Sequence, residues 1–157
     1  MTVSGQVVSK TFVIRDGIKY IPSELTSAQT LSVPNLPTNF KCVFKVYVEN
    51  VTMSNQNSAW LDVGSDSNNQ VLFGNIGRYG AMGIFVKVSG SYVASDSTQC
   101  LTAQTWTELT YTYNNGVQTI SDGTNSVTLT NSQITGRNYV HFSNVTNKIK
   151  EILFLPL

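Results

Sequence analysis

Apolar and polar residues alternate along most of this chain, in short runs separated by turn residues. The pattern is clearest over 105–116, where Leu109, Tyr111 and Tyr113 fall on one face of an extended strand. The Asn-Gly pair at 115–116 predicts a tight hairpin turn, because both residue types tolerate positive φ. A second strand over 117–121 then leads to an Asp-Gly turn at 122–123. The segment is therefore predicted to be a β-hairpin with Trp106 at its entrance.

The same alternation predicts strands throughout the chain, and we find no helical period of any length. Turn signals recur about every ten residues, which is the spacing typical of a β-sandwich or barrel. A single helical turn is predicted at 23–26, and Pro34 and Pro37 indicate a loop. The remaining strands are predicted over 7–14, 17–21, 39–50, 58–63, 70–75, 82–88, 91–95, 126–130, 138–143 and 148–155. We expect one all-β domain over 1–157.

The order of residues over 106–123 is similar to a known pattern. Trp106 is followed by Leu109, by Tyr113 just before the Asn-Gly turn, and by the second Asp-Gly turn. This resembles concanavalin-A-like and laminin-G-like jelly-roll domains, especially those appended to phage tail proteins and microbial surface proteins, and the resemblance extends over 40–157. It implies an antiparallel two-sheet β-sandwich with a packed, structural Trp106. It also implies a location on a virion or at the cell surface.

Composition supports a location outside the cytosol. Charged residues are only 12% of the chain, whereas Thr, Ser and Asn number 18, 17 and 15, a composition typical of extracellular and virion β-proteins. The net charge of +1 comes without a basic cluster, so no nucleic-acid partner is expected. No apolar run is long enough to insert into a membrane. Cys42 and Cys100 are expected to be free buried thiols, with a disulfide as the alternative.

The sequence argues against catalysis. Jelly-roll glycoside hydrolases need two carboxyl groups flanking the scissile bond, but the four Glu residues lie far apart in the sequence and none pairs with another carboxyl at alternate positions. His141 is the only histidine, and no Gly-x-Ser-x-Gly motif is present. We therefore expect a non-catalytic carbohydrate- or receptor-binding module.

Alternation also identifies candidate ligand-binding residues. Ala59, Leu61 and Val63 share one face of a strand, which sends Trp60 and Asp62 to the opposite, solvent-facing side. If the preceding strand is a neighbour, Tyr47 joins them and forms a platform on which a sugar ring can stack. The alternative is that a loop covers Trp60, which then only packs.

The glycine-rich segment 73–83 provides a second group of candidates. Arg78 and Tyr79 are predicted at a loop tip, where binding residues concentrate, and Asn75 and Tyr92 are added by the same reasoning. The alternative is a plain connection with an exposed Arg and Tyr.

Two further expectations concern ions and assembly. Oxygen-bearing side chains at Asp62, Asp66 and Asn68 suggest a calcium site, although a polar turn is the simpler interpretation. No other metal site or cofactor is expected, because two cysteines and one histidine lack a recognised ligand spacing. The segment 152–157 is apolar on both faces, which suggests a homo-oligomer formed through the C-terminal strand. The alternative function is accordingly a structural or assembly domain of a virion fibre.

Overall fold

Two antiparallel sheets stack face to face in the computed structural model, which describes residues 13–15, 18–31, 36–51, 58–76 and 80–157. Within these residues there are thirteen strands and no helix. The strands are β1 (Val13–Arg15), β2 (Ile18–Ile21), β3 (Gln29–Leu31), β4 (Phe40–Tyr47), β5 (Ser58–Asp66), β6 (Asn69–Asn75), β7 (Ala81–Val88), β8 (Ser91–Gln99), β9 (Trp106–Asn114), β10 (Val117–Ser121), β11 (Ser126–Thr130), β12 (Tyr139–Val145) and β13 (Lys148–Pro156).

The strand order places distant parts of the chain side by side. The seven-stranded sheet has the order β1-β2-β13-β4-β9-β10-β11, and the six-stranded sheet has the order β3-β12-β5-β6-β7-β8. The Asn115-Gly116 turn joins β9 to β10, and both of its residues have positive φ as predicted. The all-β, two-sheet prediction is confirmed.

The core lies between the sheets and is formed by alternate residues of each strand. Phe73 of the six-stranded sheet stacks on Tyr111 of the seven-stranded sheet, with ring centroids 3.8 Å apart and planes 4° from parallel. Phe44 and Phe73 pack across the same interface at 5.9 Å. Residues between these core positions point outward, so each sheet has one face in the core and one facing away from it.

Some local predictions need correction. The helical turn predicted at 23–26 is wrong, because Leu25 forms an antiparallel β-bridge with Ile149, with backbone N···O distances of 2.6 and 3.2 Å. The short strand β3 was not predicted, since its three residues give too little alternation to detect. Residues 7–12, the turn at 16–17 and Pro34 lie outside the described residues.

The C-terminal strand β13 occupies an interior position. It pairs with β4 along most of its length and with β2 through residues 152–154. A bulge between Lys150 and Leu153 places Ile149, Ile152 and Phe154 in the core. Neighbouring strands on both sides satisfy the backbone of β13, but Leu153 and Leu155 face outward and are half-buried, and Leu157 is 59% exposed. The strand therefore has no open edge for pairing with another subunit, and the predicted homo-oligomer stays a prediction.

Arg137 connects the segment after β11 to the segment before β4. Its side chain is 6% exposed and donates hydrogen bonds to the carbonyls of Ile134, Gly136 and Thr38. The guanidinium carbon also lies 4.2 Å from the centroid of the Tyr113 ring and 5.5 Å from that of Phe40. Carbonyl dipoles and aromatic faces compensate part of the cost of this buried positive charge, although Nε lacks a hydrogen-bond partner, and no carboxylate pairs with Arg137 in the described part of the chain.

Both cysteines are free thiols. Cys42 is fully buried in the core, and burial raises its pKa well above the usual value. Burial and the nearby Asp122 raise the pKa of Cys100 to about 11. Both thiols are therefore protonated at neutral pH and unreactive as nucleophiles.

Candidate functional site

The outer face of the six-stranded sheet carries a cluster of polar side chains around Trp60. Trp60 and Asp62 point outward from β5, as alternation predicted, while Ala59, Leu61 and Val63 are in the core. The antiparallel register of β12 places His141 opposite Asp62 and Ser143 opposite Trp60. Four side chains from two strands thus meet on one surface.

Asp62 and His141 form a close polar pair on this surface. Asp62 Oδ2 lies 3.2 Å from His141 Nδ1, and Ser143 Oγ lies 3.0 Å from the same nitrogen. The Tyr139 ring stacks beside the imidazole, with centroids 6.0 Å apart. These contacts hold the imidazole against one oxygen of the carboxylate and leave the other oxygen, Oδ1, outside the pair.

Two buried oxygens of this face, Asp62 Oδ1 and Gln70 Oε1, lack a hydrogen-bond partner within the protein, and the Trp60 N–H lies close enough to Asp62 to lower its pKa without forming a hydrogen bond of good geometry. Asp62 is 3% exposed and Gln70 is 5% exposed. On β6, Val71 and Phe73 point into the core. Gln70 lies one position before Val71, so its side chain points outward. Each unsatisfied buried group costs about 1–3 kcal/mol, so groups of this kind need an explanation.

Burial also perturbs the protonation of the pair. It raises the pKa of Asp62 from 3.8 to about 7, against opposing effects of the Trp60 indole N–H and the Lys87 ammonium. Burial lowers the pKa of His141 below its usual 6.5. Both groups are thus held toward their neutral forms, and Asp62 is close to half-ionised at neutral pH.

The same face continues toward the edge strand β8 as an apolar strip. Leu72 lies opposite Asp62, and Phe85 lies opposite Leu72. Leu72 is buried although it lies outside the core shared by the two sheets. Tyr92 of β8 contacts the Phe85 ring edge-on, with centroids 5.8 Å apart, so the predicted candidate Tyr92 lies on the same face as Trp60.

Tyr47 is not part of this cluster. It lies on β4, which belongs to the seven-stranded sheet, and it points outward from the opposite side of the sandwich. The prediction assumed that β4 and β5 are neighbours, but β5 belongs to the six-stranded sheet. The core therefore separates Tyr47 from Trp60.

Trp106 is not a core residue. It is half-buried on the outer face of the seven-stranded sheet, where its ring lies 5.4 Å from Tyr47 and 4.1 Å from Lys150 Nζ. Lys148 Nζ lies 5.3 Å from the Tyr47 ring. Because Leu109, Tyr111 and Tyr113 point inward, alternation sends Trp106 outward. The packed role that the resemblance implied is replaced by a surface contact.

Asn75 has a structural role. It is fully buried, donates from Nδ2 to the Ala81 carbonyl at 2.8 Å, and accepts from Asn147 Nδ2 at 2.8 Å. Asn147 Oδ1 in turn accepts from the Glu49 backbone N–H. The network ties the end of β6 to the start of β7 and leaves Asn75 no surface with which to contact a ligand.

The loop candidates Arg78 and Tyr79 lie outside the described residues. Of the residues suggested for calcium, Asp66 accepts hydrogen bonds at Oδ1 from the backbone N–H groups of Asn68 and Asn69, which closes the β5–β6 turn. Asp62 lies away from this turn, against His141. Among the described residues, no three His, Cys, Asp or Glu side chains are grouped to hold a metal ion. The calcium site stays a prediction.

Sequence reasoning missed Gln70, His141 and Ser143 as members of the site. For Gln70 the sequence did contain a signal, because Val71 and Phe73 alternate with it and predict that its side chain points outward. His141 was predicted to be a surface residue, but its contact with Asp62 depends on the pairing of β5 with β12, about which local sequence carries no information.

No helix within the described ranges is long and apolar enough to cross a membrane. No protein-family model and no curated protein matches this chain.

Solved structures do match this chain. CG-16, a homodimeric agglutinin from chicken liver, is 14% identical, with a TM-score of 0.61 over 85% of this chain and 100% of that chain. The carbohydrate-binding module CBM66 from Bacillus subtilis is 12% identical, with a TM-score of 0.58 over 92% and 91%. A toad ovary galectin in complex with thio-digalactose is 12% identical, with a TM-score of 0.52 over 83% and 96%. At these identities the likeness establishes the fold alone. The chain is an antiparallel jelly-roll β-sandwich, as the pattern over 106–123 predicted.

Proposed function

We propose that this chain is a non-catalytic glycan-binding module whose ligand lies on the outer face of the six-stranded sheet. The observation that carries the proposal is the polar cluster of Asp62, His141 and Ser143 beside a partly exposed indole ring, in which Asp62 Oδ1 and Gln70 Oε1 have no hydrogen-bond partner within the protein. Such a surface is costly for the empty protein and complementary to a ligand that brings both donors and acceptors.

Sugar hydroxyls fit these requirements. Each hydroxyl both donates and accepts hydrogen bonds, so neighbouring hydroxyls can bond to the half-exposed His141 and Ser143, and they reach the buried Asp62 Oδ1 only if the Trp60 ring moves aside. Bonds to a charged acceptor are the strongest of this set, at about 1.5–3 kcal/mol each. The face of the indole supplies an apolar surface for the C–H side of a sugar ring. The polar groups thus orient the sugar, and the indole ring provides most of the contact area.

The geometry of the pair argues against hydrolysis. In a Ser-His-Asp triad the base uses both ring nitrogens, one for the nucleophile and one for the carboxylate. Here Ser143 and Asp62 both approach Nδ1 of His141, so this arrangement does not relay a proton from a serine nucleophile. The likeness in fold to a chicken liver agglutinin and a carbohydrate-binding module also favours binding.

The composition favours a virion or cell-surface location, which we include in the proposal. For the alternative assembly function, edge-to-edge pairing of β13 with another subunit is closed off, because β13 lies between β2 and β4. Of the C-terminal apolar residues that suggested a subunit contact, Ile152 and Phe154 pack in the core, while Leu157 is 59% exposed.

The first test is replacement of Trp60. We expect Trp60→Ala to weaken glycan binding about tenfold or more, which corresponds to a loss of roughly 1.4 kcal/mol or more. The free energy of unfolding should change little, because Trp60 lies outside the core. Binding would be measured on an array of oligosaccharides of varied sugar composition, with thio-digalactose included, and then by calorimetry with the strongest ligand.

Trp106→Ala is the matched control for this test, since Trp106 is also a partly buried tryptophan on an outer face, but of the other sheet. It should bind glycan like the wild type. Wild-type affinity in Trp60→Ala, or the absence of any glycan ligand, would refute the proposal.

A second prediction concerns pH. A ligand hydroxyl that donates to Asp62 favours the ionised carboxylate, whose pKa is about 7 in the empty protein. Glycan affinity should therefore rise several-fold between pH 6 and pH 8, as calorimetry would measure. Asp62→Asn should bind more weakly and with little pH dependence. An unchanged pH profile in Asp62→Asn would assign the titration to another group, with His141 the nearest.

A further inference from the structure

The strand β11 is an edge of the seven-stranded sheet. It pairs with β10 on one side, and among the described residues no strand pairs with its other side. The chain before and after β11 also bonds toward the β10 side. The Asp122 N–H donates to the Asn125 carbonyl at 3.2 Å, and the Asn131 N–H donates to the Gly116 carbonyl at 2.8 Å. Neither flanking segment therefore pairs with the outer edge of β11.

The same two hydrogen bonds determine which backbone groups face this edge. Residues 125 and 131 bond toward β10, and hydrogen-bonded positions of an antiparallel pair alternate with non-hydrogen-bonded ones. Ser126, Thr128 and Thr130 consequently occupy the non-hydrogen-bonded positions of the β10–β11 pair. Their N–H and C=O groups point away from β10, so the edge presents a row of backbone donors and acceptors that no described strand satisfies.

The other described edges carry features that protect them from pairing with another chain. The edge strands β1 and β3 are each only three residues long. The edge strand β8 has a register shift against β7, and its Asp96 lies opposite the core residue Ile84, which puts a charge at an inward-facing position. Short strands, bulges and inward charges are common protections of sheet edges. In contrast, β11 has five residues in one unbroken register, without a charge or a proline.

The sequence of β11 is suited to pairing with a second copy of itself. A twofold axis through Thr128 places Thr128 opposite its own copy and Ser126 opposite Thr130 of the copy. Because these residues direct their backbone groups toward the edge, the pairs would exchange about six N–H···O bonds. No charged residue occurs from 123 to 136, so like charges do not meet along the pair.

We propose that this chain forms a homodimer through β11, in which the two seven-stranded sheets become one continuous sheet. The twofold axis of an antiparallel strand pair is perpendicular to the sheet, so both six-stranded sheets lie on the same side of the joined sheet. The two Trp60 faces then point in the same direction. Their use as two glycan sites for one ligand-bearing surface rests on the proposed function, whereas the dimer itself does not.

Sedimentation velocity at increasing protein concentration tests the dimer. A single pair of short strands is a small interface, so we expect weak association of the wild type, with a Kd on the order of 10–100 µM. Thr128→Lys should raise this Kd more than about tenfold, because it places two ammonium groups opposite each other at the axis. Thr110→Lys is the matched control, since Thr110 is on the same outer face but on the interior strand β9. It should associate like the wild type.

Cysteine cross-linking tests the position of the axis. In Thr128→Cys the two Cα atoms would be about 5.5 Å apart, which is within the range for a disulfide. In Thr130→Cys they would be about 14 Å apart, because each cysteine lies opposite Ser126 of the copy. Both variants would carry Cys100→Ser, which removes the half-buried native thiol. With oxidised glutathione, Thr128→Cys should give a covalent dimer at least about ten times faster than Thr130→Cys.

The outcomes separate the dimer from the proposed function. A wild type that stays monomeric at about 500 µM, undiminished association of Thr128→Lys, or lost association of Thr110→Lys would overturn the dimer. Equal cross-linking of Thr128→Cys and Thr130→Cys would overturn it too, because the axis would not pass through Thr128. Trp60→Ala should associate like the wild type, and Thr128→Lys should keep the wild-type affinity for a free glycan. Association without any glycan binding would refute the proposed function and leave the dimer standing.

Discussion

Asp62→Asn should stabilise the protein above pH 7 while weakening its binding of glycan. The Asp62 carboxyl is buried, and its pKa in the folded protein is about 7, compared with 3.8 ordinarily. A shift of this size corresponds to up to about 4 kcal/mol of folding free energy, at 1.36 kcal/mol for each pKa unit. An amide has the same shape and carries no charge, so it avoids the cost of burying an ionised group.

The direction of the pH dependence follows from proton uptake. Between about pH 4 and pH 7 the folded protein holds the Asp62 proton while the unfolded chain has released it, so this group lowers the free energy of unfolding as the pH rises. His141, whose pKa is lowered, contributes in the opposite direction below its ordinary 6.5. The difference between Asp62→Asn and the wild type should therefore grow with pH over this window and level off above it.

Urea unfolding at several pH values measures this difference. Asp66→Asn is a suitable control, because the turn N–H groups lower the pKa of the exposed Asp66 carboxyl. The difference in free energy of unfolding between Asp66→Asn and the wild type should therefore be nearly constant above pH 4. A stability difference for Asp62→Asn that is flat from pH 4 to pH 8 would show that Asp62 is ionised at little cost in the folded protein.

The largest loss of stability outside the aromatic core is expected on replacement of Arg137. Its guanidinium donates to three carbonyls, at 3.1, 2.7 and 3.3 Å, and faces two aromatic rings. Arg137→Ala leaves these carbonyls without that donor and opens a void against Tyr113. We expect the free energy of unfolding to fall by about 3 kcal/mol, from lost charge-assisted hydrogen bonds and cation–π contacts.

Two further variants separate the contributions. Arg137→Lys keeps the charge but lacks the planar group that reaches several carbonyls at once, so it should recover only part of the loss. Arg137→Met keeps apolar packing against the rings without any hydrogen-bond donor. Its free energy of unfolding should be about 2 kcal/mol below that of the wild type. If Arg137→Met unfolds at the same urea concentration as the wild type, the prediction is wrong. The desolvation cost of burying the guanidinium would then equal the free energy gained from its hydrogen bonds and cation–π contacts.

Alternation correctly assigned residues to the two faces of a strand, but it could not assign strands to sheets. It placed Trp60 and Asp62 outward, and both are on the outer face. It also grouped Tyr47 with them, which is wrong because β4 and β5 belong to different sheets. Pairing between strands depends on contacts over long sequence separations, such as the one between His141 and Asp62, and no local pattern encodes these contacts.

The error at Trp106 has a different origin. The phase of Leu109, Tyr111 and Tyr113 already indicated an outward Trp106, but the resemblance to jelly-roll domains implied a packed residue and was preferred. Arg137 could not have been found from sequence, because a single arginine between two strands carries no pattern. Its position depends on a loop whose course is set by tertiary contacts.

The interior position of β13 has a consequence for protein synthesis. Pro156 pairs with Phe40, and Ile152 pairs with Ile21, so the middle of the seven-stranded sheet is filled by residues that the ribosome adds after all the other strands of that sheet. Until they emerge, β2 and β4 have open edges in a chain that already contains most of its apolar residues. Closing such long-range pairs is slow, and the nascent chain is exposed to aggregation while they are missing. Ribosomes that stall before the codons for β13 should therefore leave a chain that binds chaperones and has not acquired the native sandwich.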